Sequence, residues 1–209
     1  MSQTWVTTDP FWEPYQRKFW EENGLPAHSS GEHRIAREMY RLTCPRRVLD
    51  IGCGAGQMLA EMSRLGAEIQ GFESRNGIRW CELLGILEIP LGNVMAVDLR
   101  DGMPQDAWHG WPDLIVCTEV LEHLPEGAAI RVALAIVGLE AKWLAISGAT
   151  PGSEGGTGHI NEHHESYWRN LFTESGLYEV DWETTSILHD HTRKTFDWAD
   201  RILLYRGVR

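Results

Sequence analysis

The amino-acid sequence predicts a doubly wound α/β fold, in which helices cover both faces of a mostly parallel sheet. From Arg46 onward, segments with strand character alternate regularly with segments of helical periodicity, as this fold class requires. Two early strands, VLDI at 48–51 and LIVC at 114–117, are largely apolar on both faces. Such strands must be covered on both sides, which is typical of parallel sheets flanked by helices.

Two helices are predicted before the alternation begins, within residues 1–45. The first has an aromatic face and ends near the GLP at 24–26, and the second has an apolar face and ends before Pro45. We therefore divide the chain into a helical segment, 1–45, and an α/β domain, 46–209. The aromatic face comprises Phe11, Trp12, Tyr15, Phe19 and Trp20.

The remaining elements follow from apolar periodicity and from turn residues. Between the last two strands there is no helical pattern of normal length, so we expect an antiparallel, hairpin-like finish and read HDHTR at 189–193 as a loop. Strands are predicted at 47–51, 68–73, 92–97, 113–118, 142–148, 178–184 and 201–207, and helices at 56–66, 75–85, 126–139 and 164–176.

Length and composition are those of a globular domain that buries a full core. The chain has 209 residues, of which 43% are hydrophobic and 23% charged. No run approaches 18 apolar residues, and the N-terminus lacks the charged start and apolar stretch of a signal peptide. We expect no membrane span and a cytoplasmic location. The cysteines, which form no CxxC pair, are expected to be reduced packing residues; they are Cys44, Cys53, Cys81 and Cys117.

A glycine-rich turn follows the first predicted strand, with the spacing Asp50-x-Gly52-x-Gly54-x-Gly56. A strand, glycine turn and helix in succession offer free backbone N–H groups and the positive end of a helix dipole to a ligand. The spacing differs from GxGxxG, so the usual dinucleotide fingerprint is not met. A purely structural turn is the alternative.

Acids at the ends of the next two strands suit a bound nucleoside. Glu73 ends the second strand, 17 residues after Gly56, and its two oxygens match the two hydroxyls of a ribose. Asp98 follows the third strand and can accept from an adenine amino group, while Leu99 can cover the ring. A solvated loop acid is the alternative for Asp98.

Together, VLDIGCGAG, Glu73, Asp98 and DLIVCTEVLEHL resemble the class I S-adenosylmethionine-dependent methyltransferases over about residues 46–207. The resemblance implies a seven-stranded Rossmann-like sheet with an antiparallel last strand, and N-terminal helices that cap the site. It also implies that S-adenosylmethionine lies over the glycine turn. The implied cofactor-binding residues are Asp50, Gly52, Cys53, Gly54, Gly56, Glu73, Ser74, Asp98, Leu99 and Glu119.

A second motif, E-x-x-E-H, follows the fourth strand as Glu119, Glu122 and His123. Two carboxylates and an imidazole at turn spacing suit Mg²⁺, Mn²⁺ or Zn²⁺. The glycine-rich loop after the fifth strand carries His159, a possible fourth ligand, and His163. A hydroxyl acceptor must lose its proton to a base or beside a metal, so the candidate catalytic residues are Glu119, His123, His159 and His163.

The E-x-x-E-H segment is similar to two groups of methyltransferases. In the small-RNA 3′-terminal 2′-O-methyltransferases, two Glu and two His hold a divalent metal; the second group is the ubiquinone-biosynthesis O-methyltransferases. The resemblance implies that Glu119, Glu122, His123 and His159 are the ligands, although the 35 residues between His123 and His159 are fewer than expected for the RNA group. A metal-free pocket lined by Glu119 and His123 stays open.

We therefore expect an S-adenosylmethionine-dependent methyltransferase that acts on a hydroxyl of a small molecule. An RNA 2′-O-methyltransferase, a cofactor-binding regulatory subunit without catalysis and a cofactor-cleaving enzyme are the alternatives. The sequence does not decide whether the acceptor atom is oxygen, nitrogen or carbon, nor the oligomeric state.

The net charge of −11 predicts no salt-sensitive binding to generic single- or double-stranded nucleic acid. Such binding depends on a basic face that releases counterions from phosphates, and only a local basic patch could replace it. Fluorescence anisotropy with labelled oligonucleotides at low salt measures this. Micromolar binding that falls steeply as salt is added would contradict the prediction and favour the RNA alternative.

Overall fold

The computed structural model describes residues 26–104, 112–152, 158–193, 195–196 and 198–208. The predicted aromatic helix before residue 25 lies outside them. The described strands are β1 (Arg47–Ile51), β2 (Glu68–Glu73), β3 (Val94–Ala96), β4 (Leu114–Cys117), β5 (Trp143–Ile146), β6 (Tyr178–Val180) and β7 (Leu203–Gly207). The described helices are α1 (Pro26–Thr43), α2 (Gln57–Arg64), α3 (Arg75–Leu84), α4 (Glu126–Gly138), α5 (Glu165–Thr173) and α6 (Trp182–Thr192).

The seven described strands form one sheet in the order β3-β2-β1-β4-β5-β7-β6. Neighbours from β3 to β5 pair in parallel, whereas β7 runs antiparallel to both β5 and β6. The predicted doubly wound seven-stranded fold with an antiparallel last strand is confirmed. The strand order reverses between β1 and β4, and ligands of open α/β sheets bind beyond the carboxyl ends of the strands at such a point.

Both faces of the central strands are buried, as their composition predicted. Leu49 of β1 and Ile115 of β4 point into a cluster covered by α4 and α5. Val48 and Leu114 point to the opposite cluster, which α1, α2 and α6 cover. The alternation explains why these strands are apolar at successive positions. None of the helices in the described ranges is both long and apolar enough to cross a membrane.

The connection between β6 and β7 differs from the prediction. The strand predicted at 178–184 ends at Val180, and α6 then includes the first four residues of HDHTR, which were wrongly assigned to a loop. Asp181 caps this helix by accepting from Thr184 N at 3.0 Å. The side chains buried along α6 include two threonines, Thr185 and Thr192, with only Leu188 apolar. The helix therefore lacked the apolar period that marks amphipathic helices.

Two smaller predictions also need correction. The third strand is shorter than predicted, because a 3₁₀ turn at Leu91–Asn93 replaces its first residues. Three of the cysteines are buried as expected, but Cys44 is exposed after α1 and is not a packing residue. The boundary at residue 45 stays a prediction; α1 packs against α2 and α6.

The glycine turn after β1 needs glycine for two reasons that the structure makes visible. Gly52, Gly54 and Gly56 have φ angles of 75°, 57° and 81°, a region that L side chains rarely adopt. A Cβ on Gly52 would also lie 2.4 Å from Val120 Cγ2, and one on Gly56 would lie 2.6 Å from Ile89 Cγ1. The chain's own side chains thus exclude substituents at two of the three glycines.

Gly52→Ala should destabilise the fold more than Gly85→Ala. Both glycines have positive φ, but a Cβ on Gly85 meets no atom within 4 Å. The loss of unfolding free energy in Gly85→Ala therefore measures only the cost of a positive φ for alanine, about 1–2 kcal/mol. The clash with Val120 should add about 1–3 kcal/mol to the Gly52 variant. Urea denaturation measures both. The additional loss should shrink in a Val120→Ala background, and equal losses for the two glycines would refute the packing argument.

Candidate active site

The turn between β1 and α2 is bound to the end of β2. Gly52 N and Cys53 N both donate to Phe72 O, at 2.8 and 3.0 Å. Gly54 N donates to Glu73 Oε2 at 2.9 Å. The turn and the carboxylate predicted to hold a ribose are therefore one hydrogen-bonded unit at the carboxyl edge of the sheet.

Glu73 is held from both sides yet remains partly exposed. Its Oε1 accepts from Ser74 N at 2.7 Å, and Ser74 Oγ in turn accepts from Gly77 N at the start of α3. A Cβ on Gly77 would lie 2.4 Å from Glu73 Oε1, so this glycine lets α3 approach the carboxylate. Each carboxylate oxygen has a second lone pair for a ligand. Sequence reasoning missed Gly77, which lies outside any motif.

Several carboxylates crowd around this turn. Asp50 is almost fully buried, and burial, followed by the charges of Glu32 and Glu73, raises its pKa to about 8. Burial and then Glu88 raise the pKa of Glu32, which lies on α1, to about 7. Glu32 was not predicted from sequence. At neutral pH the raised pKa keeps Asp50 largely protonated, and a cationic ligand beside it would favour the ionised carboxylate.

Asp98 and Leu99 lie after β3, next to this edge, where Val97 N donates to Glu73 O at 2.8 Å. Asp98 is exposed and pairs with Arg100, whose Nε lies 2.8 Å from Oδ1, and this pairing lowers the pKa of Asp98. Leu99 is partly buried against the core. Their predicted contacts with an adenine ring stay predictions.

The carboxylate of Glu119, which follows β4, is held by two residues that lie next to the ends of other strands. Its backbone has φ 55°, which is uncommon for a residue with a side chain. Oε1 accepts from Ser147 Oγ at 2.8 Å, and Oε2 accepts from Arg201 at 2.6 Å. Ser147 follows β5 and Arg201 precedes β7; neither partner was identified from sequence.

Glu122 is fully buried, and its two oxygens have different surroundings. Oε1 accepts from Ala149 N at 3.0 Å, whereas Oε2 is buried without a hydrogen-bond partner among the described residues. Burial, and then the charge of Glu119, raise the pKa of Glu122 to about 8. A buried carboxylate oxygen without a partner is costly unless a proton or a cation occupies the site.

Two histidines face this carboxylate. His123 Nδ1 lies 3.2 Å from Gly158 O, and His159 Nδ1 lies 2.8 Å from Glu162 Oε1. The two ring centroids are 4.8 Å apart. Burial, and then His159, lower the pKa of His123 to about 4, so its imidazole is neutral at physiological pH and able to bind a metal.

Three of the four predicted metal ligands are therefore together. One potential ligand atom from each of Glu122, His123 and His159 lies within 4.8 Å of the others. Within the described part of the chain, Glu119 does not belong to this group, because Ser147 and Arg201 hold its carboxylate. The remaining candidate is His163. Its Nε2 lies within hydrogen-bonding distance, 2.9 Å, of Asn161 Oδ1, and its ring stacks on that of Tyr167 with the ring centroids 3.7 Å apart.

Comparison with known proteins identifies the family of the chain. A family model described as a methyltransferase domain matches residues 27–136, which is more than half of the chain. The chain belongs to this family. The predicted class I S-adenosylmethionine-dependent methyltransferase family is confirmed.

Several curated relatives carry the name ubiquinone biosynthesis O-methyltransferase. That of Albidiferax ferrireducens is 28% identical over 135 residues, covering 62% of this chain and 53% of the relative. That of Xanthomonas campestris pv. campestris is 31% identical over 120 residues, covering 54% and 48%. This methyltransferase domain thus spans about half the length of these relatives.

Solved structures share the fold at low sequence identity. The plantazolicin methyltransferase BpumL, in complex with S-adenosylhomocysteine and a desmethyl analogue, has a TM-score of 0.63 and 18% identity, covering 96% of this chain and 92% of its own. Magnesium protoporphyrin IX methyltransferase from Synechocystis PCC 6803, with bound S-adenosylmethionine, has a TM-score of 0.60 and 18% identity, covering 95% and 94%. Both similarities concern the fold.

Asp50 should make the folded protein less stable as the pH rises from 6.5 to 8. Its pKa is about 8 in the folded protein and 3.8 ordinarily, so the unfolded state releases its proton first and deprotonation favours unfolding until the folded pKa is passed. In Asp50→Asn, the decline in unfolding free energy with pH should be shallower, by up to about 1.4 kcal/mol per pH unit. Urea denaturation across this range measures the slope.

The lower limit of the range follows from His123. Its pKa is lowered from 6.5 to about 4. His123 therefore makes the folded protein more stable as the pH rises towards 6.5, and this gain is complete above that pH. Glu122 contributes to the wild type and the variant alike, while the interaction between Glu32 and Asp50 is part of the Asp50 contribution and is lost with it. The exposed Asp190 on α6 supplies the control, and Asp190→Asn should keep the wild-type slope. Identical slopes for wild type and Asp50→Asn would contradict the assignment.

Proposed function

We propose that the protein transfers the methyl group of S-adenosylmethionine to a hydroxyl of a small molecule, assisted by a divalent metal ion bound by Glu122, His123 and His159. The observation that carries the proposal is the buried, unpartnered Oε2 of Glu122 next to two imidazoles. The Glu122–His123–His159 cluster lies after β4 and β5, beside the glycine turn after β1. Donor and acceptor sites would thus meet at the carboxyl edge of the sheet.

The donor side rests on the glycine turn and the acids around it. Glu73, already fixed by Gly54 N and Ser74 N, would accept from the ribose hydroxyls. A ligand with an ammonium and a sulfonium group would favour the ionised forms of Asp50 and Glu32 and gain from pairing with them. Methyl transfer from a sulfonium is an in-line displacement, so the main task of these residues is to hold and orient the donor.

The residues of the cluster fit a divalent ion. Two imidazoles and one carboxylate suit Zn²⁺ or Mn²⁺ better than Mg²⁺, which prefers oxygen ligands. Both Nδ1 atoms are engaged by acceptors, which leaves Nε2 as the ligand atom of each ring. A bound ion supplies a Lewis acid that lowers the pKa of an acceptor hydroxyl. Three protein ligands leave positions for water or for the acceptor.

Glu119 has a different role in this proposal from the one expected. Arg201 and Ser147 occupy both of its oxygens, so it lines the space between the two sites without binding the metal. Because both oxygens are engaged by donors, Glu119 would not act as the general base. Proton removal from the acceptor would then depend on the metal.

A small-molecule acceptor is favoured on two grounds. The net charge of −11 disfavours a polyanionic acceptor such as RNA. The curated relatives carry the name ubiquinone biosynthesis O-methyltransferase, which supports oxygen as the acceptor atom. Ile160, exposed beside the histidine cluster, offers apolar surface to an organic acceptor.

Removal of a ligand from the cluster should abolish metal binding and spare cofactor binding. Glu122→Gln and His123→Ala are expected to weaken binding of Mn²⁺ or Zn²⁺ by at least about tenfold, since either change leaves two protein ligands. Calorimetric titration of the purified protein with each ion measures this. S-adenosylhomocysteine should bind both variants with wild-type affinity in the presence of EDTA.

Glu126→Gln is the matched control, because Glu126 is an exposed acid at the start of α4. It should bind the ion as the wild type does. A wild-type protein that binds no ion at millimolar concentration in the presence of S-adenosylhomocysteine would refute the metal-assisted mechanism.

A further inference from the structure

We propose that Glu162 is a positioning residue, which fixes the orientation and the tautomer of His159 so that Nε2 faces the Glu122–His123–His159 cluster. The inference deepens the function proposed above and rests on it. Glu162 Oε1 lies 2.8 Å from His159 Nδ1, in a contact whose histidine side chain is 10% exposed and whose carboxylate is 29% exposed. No sequence motif singles out Glu162.

The contact determines which nitrogen carries the proton. An ionised carboxylate only accepts hydrogen bonds, so Nδ1 of a neutral His159 must donate, and Nε2 keeps its lone pair. His123 is fixed in the same way, because Gly158 O can only accept from its Nδ1. Metal-binding histidines generally donate their second N–H to a carboxylate or a backbone carbonyl. Glu162 provides the carboxylate acceptor for His159, and Gly158 provides the carbonyl acceptor for His123.

Backbone hydrogen bonds hold the segment that contains His159. Ile160 N and Asn161 N both donate to Glu122 O at 3.0 Å, and His163 N donates to Ala149 O at 3.3 Å. The residue that supplies the buried carboxylate therefore also anchors the chain next to His159. The remaining freedom of His159 is rotation of its side chain, and the contact with Glu162 removes it.

The carboxylate of Glu162 also adds negative charge behind the ring. A carboxylate hydrogen-bonded to a metal-binding histidine increases the basicity of the ligand. Glu165, three residues later at the start of α5, pairs with Arg169 at 3.2 Å instead. It is therefore a neighbouring acid of the same type that does not orient His159, and it provides a control.

The first test detects the tautomer of His159 without any metal. Long-range ¹H–¹⁵N spectra of the protein in EDTA at pH 8 distinguish Nδ1–H from Nε2–H. We expect Nδ1–H in the wild type and in Glu165→Gln. Glu162→Ala should shift His159 towards the Nε2–H form that free imidazole side chains favour in water. Glu162→Gln should largely keep Nδ1–H, because its amide oxygen still accepts.

The second test measures ion binding. Glu162→Ala is expected to weaken Mn²⁺ or Zn²⁺ binding by about 10–100-fold, the usual effect of losing such a supporting partner. Glu162→Gln should fall between that variant and the wild type, since it retains the hydrogen bond and loses the charge. Glu165→Gln should bind the ion as the wild type does, and all variants should keep wild-type affinity for S-adenosylhomocysteine.

The two readouts separate this inference from the proposed function. An unchanged tautomer of His159 in Glu162→Ala, or unchanged ion affinity in that variant, would overturn the positioning role and leave Glu162 as a surface partner of His159. If the wild type bound no ion at all, the metal-assisted function would fail. The metal-free spectra would still decide whether Glu162 orients the ring.

Discussion

The contact between two turns, one after β1 and one after β4, determines the rest of the site. These strands are neighbours in the sheet although β2 and β3 separate them in sequence. Their carboxyl ends therefore meet, and the turns approach so closely that a Cβ on Gly52 would overlap Val120. The turn after β1 is hydrogen-bonded to Glu73 of the predicted donor site, and the turn after β4 carries Glu122 and His123. Reversal of strand order thus places the two halves of the site side by side.

The parts of the fold that the sequence predicted are those in which local composition and tertiary role agree. β1 and β4 are apolar because they are buried on both faces, and the glycine turn has positive φ at all three glycines. α6 was missed because its stability comes from elsewhere. Asp181 caps it, and Thr185 Oγ1 accepts from Leu204 N at 3.0 Å. Because this contact with β7 is a hydrogen bond from a threonine position, α6 shows no apolar periodicity in the sequence.

In the site, too, the residues predicted correctly were those marked by a local sequence motif, and the residues missed were partners distant in sequence. Glu122, His123 and His159 were candidates because of residue type and spacing, and the structure brings their ligand atoms together. Glu119 has the same motif spacing, but its positive φ and its bonds to Ser147 and Arg201 direct its carboxylate elsewhere. Arg201 lies 82 residues from Glu119 in sequence. No pattern within the E-x-x-E-H segment could have revealed that partner, nor Glu32 of α1 beside Asp50.

The crowded carboxylates around the glycine turn also bear on how a reaction cycle would end. S-adenosylmethionine carries a sulfonium charge, and the thioether left after methyl transfer is neutral. A sulfonium bound beside Asp50, Glu32 and Glu73, as proposed above, would favour their ionised forms, and the demethylated product would lack that interaction. Loss of the methyl group would weaken the hold of the protein on what remains, so the acids that recruit the donor would also limit inhibition by accumulated product.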